Sequence, residues 1–295
     1  MLTVIDDSDL HPSCCPELVV GQNLILRHTA QGQSLAPLWA WLTGRAEDDP
    51  DDGAALWDIS QILLARGHLR DGLRLQADAL RRRRDFRIVH GDGSGPVVLA
   101  FMAPGDLSAN LPADLLLHGS NATLWLRYVG DDDALTDLPR HDKALIAAGP
   151  GAAADDRFQR LAAGLNAAGW PLINGNADAI AGLTPERLGL TLGHEDNLVT
   201  SPAPTGNVRH RIALIDGQAF ALERDGDDVL ARHADRLVAL TRRIGLDCFD
   251  VECGETRDGR LAILSADVAG PSLALHRAPN VLPRLCDAFM TLINR

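Results

Sequence analysis

The sequence predicts an α/β fold that becomes α+β in its C-terminal third. Three observations carry this. Between Pro96 and Thr184, short apolar runs alternate with helical stretches, the pattern of a doubly wound parallel layer. Beyond residue 205, two strand pairs are closed by Asp-Gly, at Asp216-Gly217 and Asp258-Gly259. Before residue 90, a helix–Gly–helix pattern centres on Gly67-His68. The 295 residues thus divide into a short helical segment, 1–90, a layered middle, 91–200, and a hairpin-rich unit, 205–295.

Residues 1–30 are mixed. Leu18-Val19-Val20 and Leu24-Ile25-Leu26 read as short strands or as the edge of a helix. Ser34 to Gly44 reads as a helix, followed by an acidic, proline-containing loop from Glu47 to Gly53. Ala54–Arg66 and Leu69–Arg83 are amphipathic helices, with Leu56, Ile59 and Leu63 on one stripe and Leu69, Leu73, Ala77 and Leu80 on the other. Arg81 to Arg84 complements the negative end of the second helix. Trp39, Trp41 and Trp57 read as packing residues. Val97–Ala103 is a continuous apolar run, as a parallel strand buried on both faces requires. Asp106 either caps the turn before Leu107 or meets a ligand. A helix follows through Ala113–Leu117. Then come strands at Ala122–Val129 and Lys143–Gly149, a helix at Ala153–Ala168 and a short strand at Pro171–Gly175. A further helix starts at Thr184 with Pro185 in its first turn. Ser201-Pro202-Ala203-Pro204 reads as a linker. Arg209–Glu223 is a hairpin, Leu230–Ile244 an amphipathic helix, and Pro283–Arg295 a closing helix.

Composition excludes several classes. An apolar content of 46% with 23% charged residues is that of a globular protein. A net charge of −12 argues against a general nucleic-acid binder. Of 28 basic residues only Lys143 is a lysine. Five scattered cysteines give no disulfide framework and fit a reducing cytoplasm. Cys14-Cys15 with His11 could bind a soft metal but lacks the C-x-x-C spacing. No signal peptide is legible, and no apolar run approaches the roughly 20 residues that span a membrane. Gly149-Pro150-Gly151 is a turn rather than a phosphate cradle, and no zinc-hydrolase or nucleophile-elbow motif is present.

The chemistry concentrates between Leu246 and Asp267. In Cys248–Glu255, Phe249, Val251 and Cys253 alternate with Asp250 and Glu252. In Leu261–Ala266, Leu261, Ile263 and Leu264 lead to Ser265 and Asp267. A tight primed turn at Asp258-Gly259 would put Glu252 and Asp267 on adjacent strands, an oxygen set that suits Mg²⁺. The alternative is an ordinary half-buried hairpin with solvated acids.

LDCFDVECGETRDGRLAILSAD resembles the last hairpin of ATP-grasp proteins. It is most similar to the bacterial branch that joins tetratricopeptide-like helices to an ATP-grasp module. ILLARGHLRDGLRLQADAL resembles one tetratricopeptide hairpin, and FMAPGDLSANLPADLLLHGSNATLWLRYV the Rossmann-like lobe that precedes the grasp. The resemblance implies that Asp106, Asn110 and Asn174 face the substrate cleft and that Glu252 and Asp267 hold the Mg²⁺ of ATP. Arg209 and Arg211 fall where the family carries an Arg-Lys-Tyr-Arg string; they would grip a phosphate or carboxylate, or else form the solvent face of an edge strand. Three departures stand out. Glu252 replaces the usual Asp, Ser265 replaces the metal-bridging Glu, and Val199–Ile212 is too short for the lysine-bearing clamp lobe. The expectation is a degenerate, non-catalytic ATP-grasp-like protein with no cofactor. It would bind a peptide, a protein or a small anionic ligand, with an open sheet edge as the surface for a partner or a second copy of itself. The alternative is an active ATP-dependent carboxylate–amine ligase using ATP and Mg²⁺, a family role often exercised on peptide natural products.

Overall fold

The computed structural model describes residues 15–130, 135, 137–184, 187–188, 209–223, 226–268 and 280–295, and the backbone alone at 198–200. The first four helices are α1 (Gln22–Ala30), α2 (Ala36–Asp48), α3 (Gly53–Ala65) and α4 (Leu69–Arg82). The middle holds β1 (Asp85–Val89), β2 (Val97–Met102), α5 (Ala113–Leu116), β3 (Thr123–Tyr128), β4 (Lys143–Ile146), α6 (Pro150–Ala153), α7 (Asp156–Ala167), β5 (Leu172–Ile173) and α8 (Ala177–Ala181). The last third holds β6 (Leu198–Thr200), β7 (His210–Ile215), β8 (Gln218–Ala221), α9 (Asp227–Ile244), β9 (Cys248–Glu255), β10 (Leu261–Asp267) and α10 (Leu282–Ile293). The fold is α/β, as expected. The helix expected from Thr184, the 201–204 linker, and His11 and Cys14 lie wholly or mostly outside the described residues.

The first sheet runs β1-β3-β2-β4-β5. Its strands β2 to β5 are parallel, and β1 pairs antiparallel with β3. Both faces are buried, which explains the unbroken apolar run of β2. Leu99 and Phe101 pack with Phe158 and Leu165 of α7, and Val98, Ala100 and Met102 with Leu115 and Leu116 of α5. The segment read as helical to residue 90 therefore ends in a strand. Phe86 and Ile88 turn inward while their neighbours stay partly exposed, a period of two concealed by the arginine run before it.

The helices lock onto this sheet by specific contacts. Gly67, at φ 81°, closes α3: its N–H donates to Leu64 O and that of His68 to Leu63 O, the paired bonds of a left-handed C-cap. The buried Trp57 stacks on Phe86 at 5.3 Å and donates from Nε1 to the Tyr128 hydroxyl at 3.0 Å. At the N-terminus of α1, Asp58 accepts from the N–H groups of Val20 and Gly21, and Asp114 from that of Asn23. Carboxylates from α3 and α5 thus take up N–H donors at and just before the first turn.

The second sheet runs β6-β10-β9-β7-β8, antiparallel except for β6 on β10. One face is covered by α9, whose Val229, Leu237 and Leu240 share a core with Phe249, Val251 and Cys253. The other is covered at one end by α10, through Leu285 and Phe289 against Ile215, Phe220 and Cys248. Asp216 and Gly217, at φ 53° and 71°, form the primed two-residue turn. The second hairpin differs from expectation. Of Asp258 and Gly259 only the glycine has positive φ, and its N–H donates to Thr256 O, so a longer turn with a glycine bulge closes it.

The two sheets are joined at Asn174. This residue is fully buried and left-handed at φ 51°. Its Oδ1 accepts from the N–H groups of Asp247 (2.9 Å) and Cys248 (3.0 Å), and its Nδ2 donates to Cys248 O at 2.7 Å. Its own N–H donates to Asp247 Oδ2 at 2.8 Å. Asn174→Ala should lower the unfolding free energy by about 3 kcal/mol, because it strands buried backbone groups and strains φ. Asn174→Gly, which tolerates that φ, should cost about 1 kcal/mol less. Urea denaturation of the two variants measures both; a loss for Asn174→Ala under about 1 kcal/mol would mean the clasp is incidental.

Candidate functional site

The hairpin register decides which acids meet. From Glu255↔Leu261 to Cys253↔Ile263 the strands pair regularly, but between Ile263 and Ser265 the register shifts at a bulge. Beyond it Ser265 lies opposite Glu252, and Asp267 opposite Asp250. Without the shift, Asp267 would oppose Phe249 on the α9 core face. The extra residue, Leu264, thus turns the end of β10 over and places Ser265 and Asp267 beside the acids of β9. On the other flank, Arg211 of β7 pairs with Glu252, and Ala213 with Asp250.

Charges on this face are matched across strands. Arg209 Nη1 lies 3.1 Å from Glu252 Oε1, and Arg211 Nε lies 3.3 Å from Asp250 Oδ1. Ser265 Oγ donates to Glu252 Oε2 at 3.3 Å, and Glu223 Oε2 accepts from the N–H of Arg211 at 2.8 Å. The Arg209 pair is exposed and contributes little to stability. Asp250 is different: it is 5% exposed, and among the described residues neither of its oxygens has a hydrogen-bond partner. Burial pushes its carboxyl up to about 7, opposed by Arg211 and reinforced by Asp267, Glu223 and Glu252.

These oxygens are of the hard type that Mg²⁺ prefers, but their arrangement does not fit the ion. Among the described residues, no three Asp, Glu, His or Cys side chains converge to enclose a metal. Ser265 presents a neutral hydroxyl where a third charge is needed, and the guanidinium groups already occupy Glu252 and Asp250. The sequence singled out Arg209, Arg211, Glu252 and Asp267, and the fold brings all four to one face. It passed over Asp250 as an alternating polar residue. The signal was there: Asp250 has the same strand parity as Glu252, but only the bulge reveals that it faces Asp267.

The residues expected at a cleft in the first sheet have other tasks. Asp106 Oδ1 accepts from Ser108 N–H at 2.9 Å and from its hydroxyl at 2.7 Å, capping an exposed turn rather than a helix. Asn110 is buried and pairs both ways with Ala103, through Ala103 N–H to Oδ1 and Nδ2 to Ala103 O. Asn174 forms the clasp between the sheets. The amides of Asn110 and Asn174 are therefore engaged with backbone.

No family model and no curated protein matches the sequence. Among solved structures the chain is similar, in part, to several enzymes. One is the ATP-grasp ligase PsnB complexed with precursor peptide PsnA2 and AMPPNP, at 14% identity over 67% of this chain and 98% of that one, with a TM-score of 0.44. Another is the macrocyclase MdnB from Microcystis aeruginosa MRC, at 15% identity over 66% of this chain and 99% of that one, TM-score 0.39. A third is the D-cycloserine synthetase DcsG, at 14% identity over 64% of this chain and 99% of that one, TM-score 0.36. The likeness extends over about two thirds of this chain.

The raised carboxyls set a pH dependence. Asp58, fully buried, is likewise pushed up to about 7 by burial, with the Val20 and Gly21 N–H groups opposing. Unfolded aspartates titrate near 3.8, so between pH 4 and 7 the folded state holds protons the unfolded chain has lost. Stability should therefore fall as pH rises through that window and level off above it. Asp250→Asn should remove its share of the slope and raise stability at pH 8 by on the order of 2–4 kcal/mol. Urea midpoints at pH 5 and pH 8 check this, and parallel profiles for the two proteins would refute it.

Proposed function

We propose that the chain is a non-catalytic ATP-grasp-like protein of the cytoplasm that binds a peptide or protein partner in peptide natural-product modification. The pairing of Arg211 with Asp250 and of Arg209 with Glu252 carries this reading. A guanidinium is a permanent charge held by the fold. A nucleotide-bound Mg²⁺ would need the same carboxylate oxygens, and a triphosphate would need the same arginines. With the two sets engaged with one another, the face is already neutralised strand against strand. The neutral Ser265 in the place of a carboxylate agrees with this, as does the lack of lysine between Val199 and Ile212. The sequence of the helical pair α3–α4 resembles a tetratricopeptide hairpin, which supports the reading. Among the described residues β8 pairs only with β7, so its outer edge can receive a strand from the partner or from a second copy.

One observation favours a second reading. The unpartnered oxygens of Asp250, opposite Asp267, suit an ATP-dependent carboxylate–amine ligase with a rebuilt site. There Arg209 and Arg211 would release their carboxylates to meet phosphate, and Glu252 and Asp267 would hold the cation. Asp106, Asn110 and Asn174 would then keep a supporting part in shaping the substrate side.

Calorimetry with Mg-ATP separates the two. No binding tighter than roughly 100 μM and no ADP release are expected; tight binding with turnover would overturn the non-catalytic reading. Under the ligase reading, Arg209→Ala abolishes ADP release in the presence of the acceptor, and undiminished release would remove Arg209 from that role.

A further inference from the structure

Asp250 sits where the apolar cover of the second sheet ends. A small cavity opens beside it, walled by Leu111 and Leu116 from the α5 region, Ala213 and Ile215 from β7, and Leu285 from α10. The walls are almost wholly carbon, and Asp250 is the charged group among them. Among the described residues its two oxygens have no hydrogen-bond partner, although the residue is 5% exposed. Asp267, Glu223 and Glu252 add negative charge, and among the described residues Arg211 offsets it, its Nε 3.3 Å from Asp250 Oδ1. Asp250 therefore has an ion pair with Arg211 on one side but, among the described residues, no hydrogen-bond donor on either oxygen.

A hydrated divalent ion does not answer that need. Mg²⁺ keeps several waters and an octahedron of oxygens, which leucine walls cannot supply. An ammonium on an aliphatic stem does answer it. Its head carries three donors on a compact charge, and its methylenes lose water against the leucines.

We propose that this cavity binds a primary alkylammonium group, its head on Asp250 and its stem among Leu111, Leu116, Ile215 and Leu285. The group is held as a ligand, not as a reactant. The inference deepens the proposed function and rests on its reading of the chain as a non-catalytic binder of a peptide partner. Two sources supply the chemistry, a free short-chain amine and a lysine side chain of the peptide partner.

Methyl resonances of the cavity leucines and of Ile215 provide the readout. Titration with propylammonium chloride should shift them saturably, with matched sodium chloride as the blank and propanol binding at least about tenfold more weakly. Asp250→Asn, with its fold verified by the same spectrum, should weaken propylammonium at least about tenfold. Ala213→Leu, which fills the cavity and keeps the carboxylate, should abolish the shifts. Nα-acetyl-lysine methylamide is compared with its Nε-acetylated form: shifts with the first alone assign a lysine source, and shifts with propylammonium but with neither amide assign a free amine. Equal binding of propanol and propylammonium, an unaffected Asp250→Asn, or no saturable shift would overturn the proposal. Mg-ATP turnover would overturn the non-catalytic function and leave the ammonium result standing, so the two failures are distinguishable.

Discussion

The clasp of Asn174 on Asp247 and Cys248 fixes where the two sheets stand. One buried side chain and its own N–H make four hydrogen bonds to the residues that open β9, the central strand of the second sheet. β9 carries Asp250 two residues beyond Cys248. The depth of that carboxylate, the cavity beside it and its approach to Leu111 and Leu116 therefore follow from the end of β5. A left-handed asparagine suits the position because its short amide can reach the neighbouring strand while the backbone turns.

The same device recurs nearby. Gln76 of α4 pairs both ways with Gly105, through its Nε2 to Gly105 O and Gly105 N–H to its Oε1, each at 2.9 Å. Asn110 does the same with Ala103. Each amide replaces a strand partner for backbone that would otherwise be buried without one. The loops after β2 and β5 lie at the strand ends where α/β sheets usually meet ligands. Here those loops are tied to the protein's own amides. The chemistry that remains uncommitted lies on the second sheet, at Asp250.

Much of this fold is legible in the residues. α3, α4, β2, β3 and β4 fall close to their expected ranges because their hydrophobic periods are clean and their ends carry Gly or Pro signals. The helix read from Ala153 to Ala168 is interrupted at Asp155, which caps α7 by accepting from the Arg157 N–H, a local bond that outcompetes the helical one. β1 was hidden by the arginines before Asp85. α1 stayed ambiguous because its stability comes from Asp58 and Asp114, which lie 37 and 91 residues away along the chain. The site was half legible. Residue types and alternation pointed to Glu252 and Asp267, but the bulge at Leu264 depends on how β10 must present both Ile263 and Ala266 to the same core, a packing constraint that no local pattern states. The roles of Asn110 and Asn174 were obscured for a similar reason: whether an amide binds a ligand or a backbone depends on what folds against it.

Two aspartates of this protein are buried with their carboxyls pushed up to about 7, and the contrast between them is instructive. Asp58 has a structural purpose, since it accepts from two N–H groups at the start of α1 and holds that helix to α3. Removing it would strand donors. Asp250 accepts no hydrogen bond, and an apolar or amide side chain of the same size would suit its surroundings better. Arg211 offsets only part of the cost, and three further carboxylates add to it. The fold gives this carboxylate the Arg211 ion pair and no hydrogen-bond donor among the described residues, and the proposed ligand would supply the donors it lacks. The carbon walls of the adjoining cavity and the surplus of negative charge restrict that partner to a cation with an apolar body. Ion pairing can then coexist with binding: Arg209 holds Glu252 at the outer rim, and Arg211 Nε, 3.3 Å from Asp250 Oδ1, would share that carboxylate with an incoming donor.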